Sequence, residues 1–98
     1  MSSSNPHRVD CFSVFAAADP SALLRVLEVF SLFGVIPDRC HSSRLESGHD
    51  QLVIDIQAAG LPADRAVQLV RRLERVITVT QVLHSERFGA ERPQARAA

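Results

Sequence analysis

Residues 18–39 read ADPSALLRVLEVFSLFGVIPDR, and the order of turn formers and apolar residues in this stretch decides the fold. Asp19-Pro20 is a helix start. An aspartate oxygen satisfies a free N–H at the N-cap, and proline at the first helical position lacks only an N–H that has no partner there. The helix is expected to run to about Phe33, where Gly34 tolerates the positive φ of a helix stop. Ala22, Leu23, Leu24, Val26, Leu27, Val29, Phe30, Leu32 and Phe33 are more apolar positions than one core-facing stripe uses, so part of this helix is expected to meet a partner.

Upstream, Val9 to Ala18 alternates: Phe12, Val14 and Ala16 share one side with Asp10, and Cys11, Ser13 and Phe15 take the other. This is the period of a strand with one well-buried face. Downstream, Val35-Ile36-Pro37 turns the chain into a second extended run ending near Leu45, with Pro37 at a strand start or edge because it cannot donate to a ladder. A polar turn at residues 46–50 leads to a third strand, in which Leu52, Ile54 and Ile56 alternate with Val53, Asp55 and Gln57, so the pair reads as a hairpin. Gly60-Leu61-Pro62 opens a second helix with Ala66, Leu69, Val70, Leu73 and Val76 at helical spacing, and Ile77 to Leu83 is the last strand. The order strand, helix, strand, strand, helix, strand implies an α+β, ferredoxin-like βαββαβ fold: a four-stranded antiparallel sheet with both helices on one face. Residues 1–7 and 87–98 are poor in large apolar groups and are expected to be flexible tails around a folded domain at 8–86.

Composition narrows the function. Eleven basic residues balance eleven acidic ones, which argues against a dedicated nucleic-acid binder. There is no Tyr or Trp, and of the phenylalanines only Phe15 is placed on the open sheet face, where RNA-binding versions of this fold stack bases. Arg65, Arg71, Arg72 and Arg75 make one helix face basic, but Asp64 and Glu74 interleave with them as on a solvated face. No secretory signal precedes the two cysteines and no apolar run reaches membrane-spanning length, so a cytoplasmic location away from the membrane is expected.

Candidate chemistry is sparse. Cys40, His41 and His49 lie near one another in sequence, but adjacent strand residues point to opposite faces and the spacing fits no standard zinc pattern; Cys40 reads as a small buried hydrophobe, and no metal is expected. Cys11, Ser13 and His84 on neighbouring strands are the best nucleophilic grouping available, without a local signature to support it. The expectation is a non-enzyme without a cofactor.

Within this layout residues 18–39 resemble the ACT-domain pattern of a strand, a short loop of the form x-P-G-x-L, an amphipathic helix and a Gly-Ile/Val turn, matching at Pro20, Leu23, Leu27, Phe30, Gly34 and Val35. The likeness extends through LVIDIQ (52–57) and LVRRLERVITVTQV (69–82), covers roughly residues 9–83, and is greatest to the short small regulatory subunits of acetolactate synthase. The resemblance implies a homodimeric regulatory subunit that docks on that thiamine-diphosphate-dependent enzyme; a free-standing homodimeric sensor of an amino acid or other small molecule is the alternative. It also implies an amino-acid effector site at a domain–domain interface, here Ala18, Asp19, Pro20, Ser21 and Ala22 with Ile36, Pro37 and Asp38. The pattern's loop glycine is Ser21, and amide side chains common in sensing relatives are Ala18 and Ile36, which cannot hydrogen-bond a ligand through their side chains. Two readings of the loop stay open: a helix N-terminus capped by Asp19, or N–H groups of residues 21–23 holding a carboxylate. Phe15 on the open sheet face and Leu24, Leu32 and Phe33 on the first helix are the expected partner contacts.

Overall fold

The alternation of the first strand organises the molecule. The computed structural model describes residues 7–45 and 50–88, which form β1 (Arg8–Ala17), α1 (Ala22–Leu32), β2 (Arg39–Leu45), β3 (Gln51–Ala59), α2 (Ala63–Leu73) and β4 (Val79–Phe88). The strands lie in the order β2-β3-β1-β4 and every pair is antiparallel, which is the expected ferredoxin-like sheet. Phe12 and Val14 of β1 pair with Ile56 and Ile54 of β3, and these four join Val26, Phe30, Leu69 and Leu73 of the two helices in the core. Phe12 and Phe30 meet edge to face with ring centroids 5.6 Å apart.

Helix ends follow local chemistry. Gly34 has φ +69°, its N–H bonds to the Ser31 carbonyl, and Val35 N–H reaches the Phe30 carbonyl, a Schellman stop of the kind the sequence implied. The start lies two residues later than expected: Ser21 is the N-cap, and Asp19 and Pro20 belong to a turn before it.

Three strand-level expectations change. β4 begins at Val79 and continues to Phe88, so the sheet runs past residue 86, where the tail was expected to begin. Pairing with the start of β1 carries this polar end, with Arg87 opposite Val9 and Phe88 opposite Arg8. Cys40 shares the core-facing parity of its partner Ile56 yet is exposed, as are Ser42 and Arg44, because the helix layer stops short of β2. Cys11 and Ser13 pair with Ser85 and Leu83 on the open face, whereas His84 lies on the helix side with Phe12, so the nucleophilic grouping is split by the sheet. Residues 1–6, 46–49 and 89–98, which hold most of the expected tails, the hairpin turn and His49, lie outside the described residues.

The buried parity of β1 also carries charge. Asp10 is 0% exposed and is held by Arg8, whose Nε donates to Oδ1 at 2.7 Å and Nη2 to Oδ2 at 2.9 Å. His84 Nε2 lies 2.6 Å from Oδ2, its ring stacks on Phe12, and Glu86 meets Arg8 at 2.9 Å. Burial alone pushes the Asp10 carboxyl up; the hydrogen bonds from Arg8 and then His84 outweigh it and hold the group below the usual carboxylate range. A carboxylate with a depressed folded-state value adds stability that is present above its unfolded value and lost as pH falls through the folded one. Resistance to urea is therefore expected to fall as the medium is acidified below about pH 4, and Asp10→Asn should cost about 3 kcal/mol at neutral pH and flatten that acid limb. An Asp10→Asn midpoint equal to that of the parent would remove the network from the account of stability.

Candidate functional site

The β1–α1 loop is self-contained. Asp19 Oδ1 accepts from the Ser21 N–H at 2.8 Å and from the Ser21 hydroxyl at 2.7 Å, while Ala22 N–H bonds to the Asp19 carbonyl at 2.9 Å. The Ser21 hydroxyl, then the Ser21 N–H, hold the Asp19 carboxyl below its usual range. An Asx turn thus places the chain's own carboxylate on donors that a ligand carboxylate would use. Ala22 is fully buried, so its side chain faces the core and not a ligand.

The other expected effector positions lie at the far end of α1. Ile36 is exposed, and Asp38 is spent on structure: its Oδ2 accepts Ala59 N–H at 2.7 Å and its own N–H bonds to the Gln57 carbonyl at 2.8 Å, joining the start of β2 to the end of β3. Eleven helical residues separate the two groups, about 16 Å along the axis. Within one chain the structure does not bring Asp19 and Ser21 together with Ile36 and Asp38.

Ser21 instead lines a groove of ≈ 420 Å³ between α1 and the α2–β4 connection, with Arg25, Glu28 and Leu32 on one side and Arg75 and Ile77 on the other. This groove escaped the sequence reading because α2 ends at Leu73 and β4 starts at Val79, which makes residues 74–78 a connection where a strand was expected to have begun. Ile77 is consequently 96% exposed. The only local signal was the pair Arg75 and Ile77 flanking Val76, which fits a strand equally well.

The expected partner residues divide by exposure. Leu24 and Leu32 are exposed on α1. Phe33 is half-buried against the core, and Arg65 stacks over its ring at 4.8 Å while donating to its carbonyl at 2.6 Å, so it works chiefly as a clasp between the helices. Phe15 is half-buried on the open sheet face, between Val53 and Gln81. Among the described residues no three His, Cys, Asp or Glu side chains gather as a metal site, and no helix is long and apolar enough to cross a membrane.

Residues 3–89 match the family model described as an ACT-like domain. Among solved structures the fold is similar to the ACT domain from GTP pyrophosphokinase of Chlorobium tepidum, at 12% identity and TM-score 0.65, covering 79% of this chain and 96% of that one. It is also similar to the C-terminal domain of the MgtC protein from Mycobacterium tuberculosis, at 14% identity and TM-score 0.61, covering 89% and 95%. The B. subtilis GlnK–ATP complex aligns at 11% identity and TM-score 0.55, covering 84% of each chain. Identities this low speak for the fold alone. No sequence match is found among curated proteins.

The loop geometry has a direct readout. In Asp19→Ala the Ser21 N–H loses its acceptor, so amide exchange at Ser21 is expected to accelerate while Val35, held by Phe30 at the other end of the helix, keeps its protection. Equal exchange at Ser21 in both proteins would show that the carboxylate does not hold the turn.

Proposed function

The chain belongs to the ACT-like domain family, and from that membership we propose a non-catalytic regulatory module that pairs with a second copy of itself and couples effector binding to a larger enzyme. The observation that supports this reading is that the two halves of the expected effector site lie at opposite ends of a sheet whose β2 edge is unpaired. Leu45 at the end of β2 pairs with Gln51, which pairs with Ala17, so that end of β2 shares an end of the sheet with Asp19 and Ser21; Asp38 stands at the other end, beside Arg39. If two β2 edges pair antiparallel about a twofold axis, each chain's Asp38 end comes beside its partner's Asp19 end. That pairing would bring the two halves to the same end of one continuous sheet.

The bare flank of the domain supports the same pairing. β2 is hydrogen-bonded on one side only, its side chains are mostly exposed on both faces, and Leu24 of α1 stands 69% exposed. An unpaired edge invites a strand from another chain, and an exposed apolar side chain on α1 offers that chain further contact area. The catalytic partner we propose is acetolactate synthase, on the resemblance of residues 9–83 to its short regulatory subunits. The second reading, a free-standing homodimeric sensor, needs the same dimer but no companion.

Sedimentation of the purified chain is expected to give a dimer, and Leu24→Asp should weaken it by roughly a hundredfold, because a twofold interface loses the burial of both leucines. A monomer at all accessible concentrations would overturn the pairing. Affinity capture from the host lysate separates the two partner readings: recovery of a thiamine-diphosphate enzyme supports the subunit, and a homodimer alone favours the sensor.

A further inference from the structure

We infer that the groove between α1 and the α2–β4 connection binds a small monocarboxylate with an aliphatic body. The inference rests on the regulatory reading only in treating the occupant as an effector; its chemistry comes from the groove itself. Two guanidinium groups line it, Arg25 from α1 and Arg75 from the connection. Arg8, Arg44, Arg65 and Arg87 each donate to a side chain or carbonyl, whereas among the described residues neither Arg25 nor Arg75 has a hydrogen bond or ion pair through its guanidinium; Arg39, Arg71 and Arg72 share that state but do not line the groove. Asp19 interacts with Arg25 only through space, lies outside the groove lining, and has its Oδ1 engaged by Ser21. Arginine in this state is suited to grip a carboxylate through paired N–H donors.

The sign and count of charge select the ligand further. Glu28 also lines the groove, so the lining carries two positive charges and one negative, with Asp19 a further negative charge acting on Arg25 from outside it. A single carboxylate suits such a lining better than a phosphate monoester or a diacid, which brings a second negative charge toward Glu28 and Asp19. Between the charged groups the lining is aliphatic. Val29 is nearly buried and Val76 half-buried along the lining, and Leu32 and Ile77 stand 67% and 96% exposed at its margins. Those exposed side chains are apolar surface that a hydrocarbon chain would cover, and ≈ 420 Å³ falls within the range of small-molecule sites.

The position suits transmission. Thr78 also lines the groove, and its carbonyl accepts the Ala17 N–H at 2.8 Å where β1 passes into the loop. One residue inward the β1–β4 ladder shifts register between Phe15 and Ala16, with Thr80 donating its hydroxyl to the Phe15 carbonyl at 3.2 Å. An occupant therefore bridges α1 and the connection entering β4, the second edge of the sheet.

The test is an amide chemical-shift titration of the full chain with hexanoate, with hexylamine and inorganic phosphate as charge controls and leucine as an amino-bearing counterpart. Hexanoate is expected to shift the amides of Ser21, Arg25, Glu28, Leu32 and residues 75–78 with roughly millimolar affinity, as suits so few atoms. Arg75→Gln, on an exposed position whose loss leaves the fold intact, should weaken it about tenfold through the lost charged hydrogen bonds, and Arg25→Gln similarly. Leucine shifting the same amides would identify amino acids as the source of the carboxylate; hexanoate acting without leucine would identify acids that lack the amine; both outcomes keep the site. Hexylamine reproducing the hexanoate shifts, or Arg75→Gln leaving the affinity unchanged, would overturn it. If the groove stays silent while leucine shifts amides near Asp19 and Asp38 of the dimer, this site falls and the regulatory reading stands.

Discussion

The structure depends on one strand being paired on both sides. β1 carries β3 along one edge and β4 along the other, so the side on which each of its residues points is fixed by two independent ladders. Phe12, Val14 and Ala16 go under the helices, and Arg8 and Asp10, at the same parity, must go there too. A buried carboxylate is tolerated only with partners on every oxygen. The same periodicity provides them: Arg8 stands two residues back on the same face, and His84 and Glu86 are brought alongside on the same face of β4. The charged network is thus a consequence of the alternation that builds the core.

What the sequence disclosed follows from how local each signal is. Alternation in residues 9–18, the apolar spacing of both helices and the Gly34 stop are set by neighbours within a few residues, and the topology followed from their order. Asp10 was visible as an acid on the buried side, but its partner His84 is 74 residues away and nothing local marks it. The last strand reads as ending at Leu83 because His84-Ser85-Glu86-Arg87 is polar, while the pairing that extends it lies in Arg8 to Phe12. Cys40 has the right parity for burial, yet burial also needs a helix above it, and the reach of a helix layer across a sheet is not written in any one strand.

The candidate site shows the same division. Residue types at the β1–α1 loop pointed to donors able to hold an anion, and those donors are there, but Asp19 already takes the Ser21 N–H with its carboxylate and the Ala22 N–H with its carbonyl. A pattern match specifies which residues line up with a family's site; it does not specify whether the chain has satisfied them internally. Replacement of the pattern's glycine by Ser21 acquires a physical meaning here, since its hydroxyl supplies the second bond that fastens Asp19. With that anion position filled by the protein, the unpaired guanidinium groups of Arg25 and Arg75 become the stronger attraction for a carboxylate from solution.

Small free energies suffice for such a molecule to regulate. A ligand present at ten times its Kd stabilises the form that binds it by about 1.4 kcal/mol, a tenfold change in a two-state ratio. A domain that buried every leucine and closed every groove would have little surface on which so small an effect could act. The exposure of Leu24 on α1, and of Leu32 and Ile77 at the margins of a groove that joins α1 to the start of β4, leaves apolar area whose coverage differs between the free and the occupied protein. That difference in coverage is the physical quantity through which a site at the helices can bias an interface at the edge of the sheet, because only interactions that differ between two states shift their balance.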